Sequence, residues 1–79
     1  MSNKEKYSQA FCKAFDLKDD ELTGLKYQAV EAWDSVGHME LIAELEDAFE
    51  IMMEADDIIE LSSFEKGMDI LTKNYSIEF

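Results

Sequence analysis

The chain has no proline, no arginine, one cysteine, one histidine and three glycines among its 79 residues. With no proline and so few glycines, little in it interrupts a helix. A lone Cys12 excludes an intramolecular disulfide and any cysteine-cluster metal site. Its place among apolar helical positions predicts a buried, inert thiol. A lone His38 offers no zinc ligand set. No apolar run is long enough to cross a membrane. The opening Met1-Ser2-Asn3-Lys4-Glu5 lacks the apolar core of a signal peptide. The expectation is a cytoplasmic protein without membrane insertion.

Positive charge is also scarce: 19 acids face 7 lysines, giving a formal net charge of −12. This balance repels nucleic acid and anionic lipid. It favours basic protein partners met in fast, salt-sensitive encounters, and it also keeps a small protein soluble. The acids do not spell a calcium loop. An EF-hand beginning at Asp16 needs glycine at its sixth position and glutamate at its twelfth, where this chain has Glu21 and Tyr27. The length predicts a single domain over residues 1–79, expected to be monomeric, with a modest core.

What is present is helical periodicity. Ser2 and Glu5 form a capping box ahead of Tyr7, Ala10, Phe11, Ala14 and Phe15, predicting a first helix over 3–15. Residues 16–33 have no clean period. Lys18-Asp19-Asp20-Glu21 reads as a charged turn and Thr23-Gly24 as a break. Leu22, Leu25, Tyr27, Val30 and Trp33 are apolar anchors that pin a long ordered loop to the core. A second helix is predicted over 35–50, with Leu41, Ile42, Leu45, Phe49 and Met53 as its core stripe. Asp56 or Asp57 is placed to cap a short third helix through Ile58, Ile59 and Leu61. Ser62 with Glu65 reads as a second capping box, opening a fourth helix to Tyr75 along Phe64, Met68, Leu71 and Tyr75. Residues 76–79 are expected to fray. Helices apolar on one side must share a core, so the predicted fold is all-α: a small four-helix bundle of three main helices and one short one, with a long first loop.

The stretch Trp33-Asp34-Ser35-Val36-Gly37-His38-Met39-Glu40-Leu41 organises the rest. Asp34 suits an N-cap, because its carboxylate accepts from backbone N–H groups that lack an intrahelical partner. Ser35 then stands at the mouth of the longest helix with its hydroxyl toward water. A phosphate there would meet the positive end of the helix dipole. The plainer reading is a first-turn serine beside an aspartate cap. Glu40, Glu44 and Asp47 recur one turn apart on the opposite side from the core stripe. Such like charges cost an isolated helix a few tenths of a kcal/mol per pair. A face kept repulsive points to a basic partner, against a merely solvated face. Val36, Met39 and Ala43 lie near this stripe. Ser35 and His38 are neighbours at helical spacing, but no third group or oxyanion hole accompanies them, which argues against a hydrolytic dyad.

Asp34-Ser35-Val36, followed by Glu40-Leu41, Leu45-Glu46, Phe49, Met53, Leu61-Ser62-Ser63-Phe64 and Met68-Asp69-Ile70-Leu71, resembles the acyl carrier protein family. That family carries a phosphopantetheine arm on the serine of an Asp-Ser-Leu motif at the start of its second helix. The resemblance implies that Ser35, beside Asp34, receives 4′-phosphopantetheine from coenzyme A by a phosphopantetheinyl transferase. It implies a non-enzymatic carrier of acyl or aminoacyl thioesters. Its partners would be a loading ligase or synthase and a downstream acyltransferase. Val36, Met39, Glu40, Ala43, Glu44 and Asp47 would be contact residues. Two departures stand out. Ala32-Trp33 replaces the glycine-containing lead-in of fatty-acid carriers, which is similar to specialised carriers outside fatty-acid synthesis. Gly37 replaces a usual acid. The competing class is an unmodified acidic helical module that binds a basic protein.

Overall fold

Ser2 starts the first helix as its sequence requires. Its hydroxyl accepts from the Glu5 N–H at 3.1 Å, and the Glu5 carboxylate accepts from the Ser2 N–H at 3.0 Å. Those bonds to Ser2 hold the Glu5 carboxyl below the usual range. The computed structural model describes residues 1–79 and contains four helices: α1 (Asn3–Phe15), α2 (Ser35–Phe49), α3 (Ala55–Glu60) and α4 (Phe64–Tyr75). A 3₁₀ turn, Asp19–Glu21, lies where the charged turn is predicted. The fold is a small all-α bundle.

Sixteen buried apolar residues form one core, with contributions from α1, α2, α4, the loops between the helices and Ile77 of the C-terminal tail. Its aromatic spine runs from α1 into the first loop. Phe11 meets Phe15 edge-on at 5.9 Å and Trp33 at 5.4 Å, and Phe15 stacks on Trp33 at 5.1 Å. Leu41, Ile42 and Leu45 form the buried stripe of α2, with Phe49 half-buried at its end. On α4, Gly67 lies against Tyr7, whose hydroxyl donates to the Phe64 carbonyl at 2.6 Å. A methyl group at Gly67 would occupy the position of that hydroxyl.

The long first loop is stapled rather than loose. Leu22, Leu25 and Trp33 are buried, Val30 is half-buried, and Tyr27 stays exposed. Lys26 and Ser63 form an isolated antiparallel bridge. Around it, the Tyr27 N–H donates to Ser62 and the Phe64 N–H donates to Leu25. This bridge moves the start of α4 by one residue from its predicted place. It fixes Ser63 as extended backbone, so Ser63 rather than Ser62 accepts from the Lys66 N–H, at 3.0 Å. Glu65 closes no capping box; its carboxylate accepts from the Gly24 N–H across the bridge at 3.1 Å.

Two other expectations fail for reasons of tertiary contact. Neither Asp56 nor Asp57 caps α3. Glu54 stands at the cap without a side-chain bond, and Asp57 is buried inside the first turn. Its carboxylate accepts from Asn74 and Tyr75 of α4 at 2.8 and 2.7 Å. The C-terminal residues are packed, not frayed. Ile77 is buried, Asn3 donates to the Glu78 carbonyl at 2.9 Å, and the Phe79 ring meets Tyr7 at 5.3 Å. Helices α1, α2 and α4 all end on a non-glycine residue in the left-handed region: Asp16, Glu50 and Ser76.

No helix is long and apolar enough to cross a membrane. Cys12 is half-buried, with its sulfur 3.5 Å from an Asp19 carboxylate oxygen. Burial, then the bond to Asp19, pushes its thiol pKa up and disfavours the thiolate.

Candidate functional site

The mouth of α2 is built on Trp33. Its ring is fully buried among Phe11 and Phe15, so the chain that follows is driven outward from a fixed point. Asp34 is extended, and its carboxylate accepts from the Gly37 N–H at 2.8 Å. Its carbonyl accepts from the His38 N–H, also at 2.8 Å. Asp34 therefore caps the helix as its sequence position predicts. The N–H groups of Ser35 and Val36 remain without a partner in the chain. Ser35 is exposed, in the first turn and beside those two donors. A helix start of this kind favours negative charge.

Gly37 is tied to this geometry by packing. A Cβ there would run into the Ala32 carbonyl oxygen and come within 3.3 Å of the Phe15 ring. Its sequence signal concerns lost charge, and its structural role is close approach.

A groove of about 480 Å³ opens beside Ser35. Ser35, His38 and Met39 of α2 form one wall, Ile58 and Ile59 of α3 the other, and Tyr27, Leu61 and Ser62 complete the lining. His38 is the lining residue with bonds to both sides. The Trp33 Nε1–H donates to His38 Nδ1 at 2.9 Å, and His38 Nε2 lies 2.7 Å from the Ile58 carbonyl oxygen. An indole N–H only donates and a carbonyl only accepts, so these partners select the neutral imidazole with its proton on Nε2. That ring has one lone pair, and Trp33 takes it. The helical spacing does bring Ser35 and His38 to the same groove, but the imidazole has no base left to offer the Ser35 hydroxyl.

The predicted contact residues divide. Val36 and Met39 are 69% and 53% exposed, and Glu40 and Ala43 are exposed beside them. Glu44 and Asp47 turn toward α1, where they line a shallow depression with Lys6, Gln9, Ala10, Lys13 and Ala48. The supposed single acidic stripe thus has one end facing lysines. Sequence reading missed Ile59, which is 79% exposed beside the groove. Adjacent isoleucines in a short helix carry that signal, since both cannot face the core. It also missed how the charge is distributed. Residues 27–65 contain twelve carboxylates and no lysine, so the segment around α2 and α3 carries the whole formal −12. The ion pair in the structure, Lys73 with Asp69, lies outside that segment.

The chain matches no protein-family model, and neither a curated protein nor a solved structure matches it.

Proposed function

We infer that the protein is a carrier whose Ser35 receives 4′-phosphopantetheine from coenzyme A. One observation supports the reading above the others: an exposed serine hydroxyl in the first turn of α2, beside two unpartnered backbone N–H groups. A phosphodiester at that position gains from both donors and from the helix dipole. In the transfer, the Ser35 oxygen bonds to the phosphorus next to pantetheine. The diphosphate linkage breaks, adenosine 3′,5′-bisphosphate leaves, and a base of the phosphopantetheinyl transferase takes the hydroxyl proton.

The terminal thiol of the arm then holds an acyl or aminoacyl group as a thioester. A loading ligase or synthase installs that group and a downstream acyltransferase removes it, so the protein itself performs no catalysis. Tethering raises the cargo's local concentration at a docked enzyme. The resemblance to acyl carrier proteins, the exposed Val36 and Met39, and the lysine-free acidic segment all agree with docking to basic enzymes. A cytoplasmic setting, where coenzyme A is at hand, fits this role.

Intact mass after incubation with coenzyme A and a broad-specificity transferase tests the reading. The expected result is a gain of one phosphopantetheine, absent in Ser35→Ala. A wild-type chain that gains nothing overturns it. The acidic face would then favour the second reading, an unmodified module that binds a basic protein.

A further inference from the structure

We propose that His38 is a proton-sensitive clamp: as the neutral Nε2–H imidazole it ties α3 to Trp33 and holds the groove in shape, and as imidazolium it releases α3. The Trp33 and His38 ring planes are nearly parallel, 11° apart with centroids at 6.2 Å, which is compatible with the N–H···N bond between them. One side chain of α2 therefore links the first loop to α3.

The moorings of α3 are few and polar. It has six residues and no side-chain cap. Its buried residue is Asp57, a carboxylate, and Ile59 faces outward. Within the helix itself, apart from half-buried Ile58, the attachments are the bonds from Asn74 and Tyr75 on one side and His38 on the other, while the buried Met53 and Leu61 lie just beyond its ends. A segment held this way opens at lower cost than one held by apolar burial.

Protonation removes the acceptor at Nδ1. The Trp33 N–H then faces an N–H of the imidazolium, and Trp33 is fully buried, with no water to turn to. The ring relieves this by turning, and it gives up the Ile58 carbonyl as it does so. No carboxylate is hydrogen-bonded to the imidazole. The groove lining contains no carboxylate, and its titratable side chain besides His38 is Tyr27, edge-on at 5.7 Å. From its own helix start, Asp34 uses its carboxylate on Gly37; from α3, Asp57 uses its own on α4. The clamp does not depend on Ser35 being modified.

Nuclear magnetic resonance of the full unmodified chain between pH 7.5 and 5 tests this. Imidazole ¹⁵N shifts at the upper pH should report the Nε2–H tautomer. As His38 takes up its proton, the Trp33 indole N–H resonance should move with the same midpoint. The Ile58 and Leu61 amides, whose bonds to Glu54 and Asp57 close the two ends of α3, should exchange about tenfold faster, on the order of one hydrogen bond lost. His38→Gln can accept from Trp33 and donate to Ile58 but cannot titrate. It should keep α3 protected across the range and lose the transition. An Nδ1–H tautomer, a His38 titration that leaves α3 unmoved, or the same α3 transition in His38→Gln would each overturn the clamp.

Discussion

Tyr75 of α4 and Asp57 of α3 are joined by an O–H···O bond of 2.7 Å, and the same phenol oxygen accepts from the Glu54 N–H at 2.8 Å. One hydroxyl thus supplies a partner for a buried carboxylate and for the uncapped start of α3. Tyr75→Phe removes both bonds. We expect a stability loss of about 1–2 kcal/mol by urea unfolding, with faster exchange confined to residues 54–60. An unchanged midpoint would show that α3 is held by its apolar contacts alone.

Tyr7 is expected to steepen the alkaline limb of stability. Burial, then the Glu65 carboxylate, raises its phenol pKa far above the ordinary value. The unfolded chain releases that proton near pH 10 while the folded chain keeps it. Above that pH the unfolded state binds fewer protons, so stability falls as pH rises; below it the contribution is intact. Tyr7→Phe should cost about 1–2 kcal/mol at pH 7, because the Phe64 carbonyl loses its donor. Its melting temperature should then fall less steeply between pH 9 and 11 than that of wild type. Parallel slopes would mean that another group controls the limb.

The end of α2 leaves room for improvement. Glu50 holds φ at 54°, and its carboxylate follows the negative end of the helix. Glycine takes that conformation without a Cβ penalty. Glu50→Gly should therefore stabilise the fold by about 1 kcal/mol in chemical denaturation. A destabilised variant would contradict this account of the cap.

Two glycines should fail differently. At Gly37 an added methyl meets backbone, and Gly37→Ala should cost about 2–3 kcal/mol and disturb the Asp34 cap. Gly24 has open space but a φ of +76°, so Gly24→Ala should cost about 1–2 kcal/mol and leave the α2 amide shifts in place. Equal losses with equal spectral changes would refute the distinction.

If Ser35 is modified, the divided stripe ranks the docking acids. Glu40→Lys should slow transfer and weaken its salt dependence more than Glu44→Lys, since Glu44 already lines a depression with Lys6 and Lys13. Initial rates at two ionic strengths decide the order. If the two variants match, the stripe acts as a whole or is merely solvated.

Local signals were the legible ones. The Ser2–Glu5 box, the Asp34 cap and the core stripe of α2 depend on neighbours in sequence, and each lies where the chain places it. The misplaced features depend on distant partners. The Lys26–Ser63 bridge reset the start of α4, α4 drew Asp57 into the interior, and the N-terminal helix gathered in residues 77–79. At the site, the exposure of Ser35 followed from its place after a cap. The engagement of His38 required Trp33 and Ile58, five and twenty residues away, which no periodicity announces.

The uneven placement of charge has a further consequence. A body with its monopole displaced to one side experiences a torque as well as a pull near an oppositely charged surface. Facing such a surface, the molecule would rotate until α2 and α3 led. Part of the orientational search would then be over before first touch, and added salt would lengthen it.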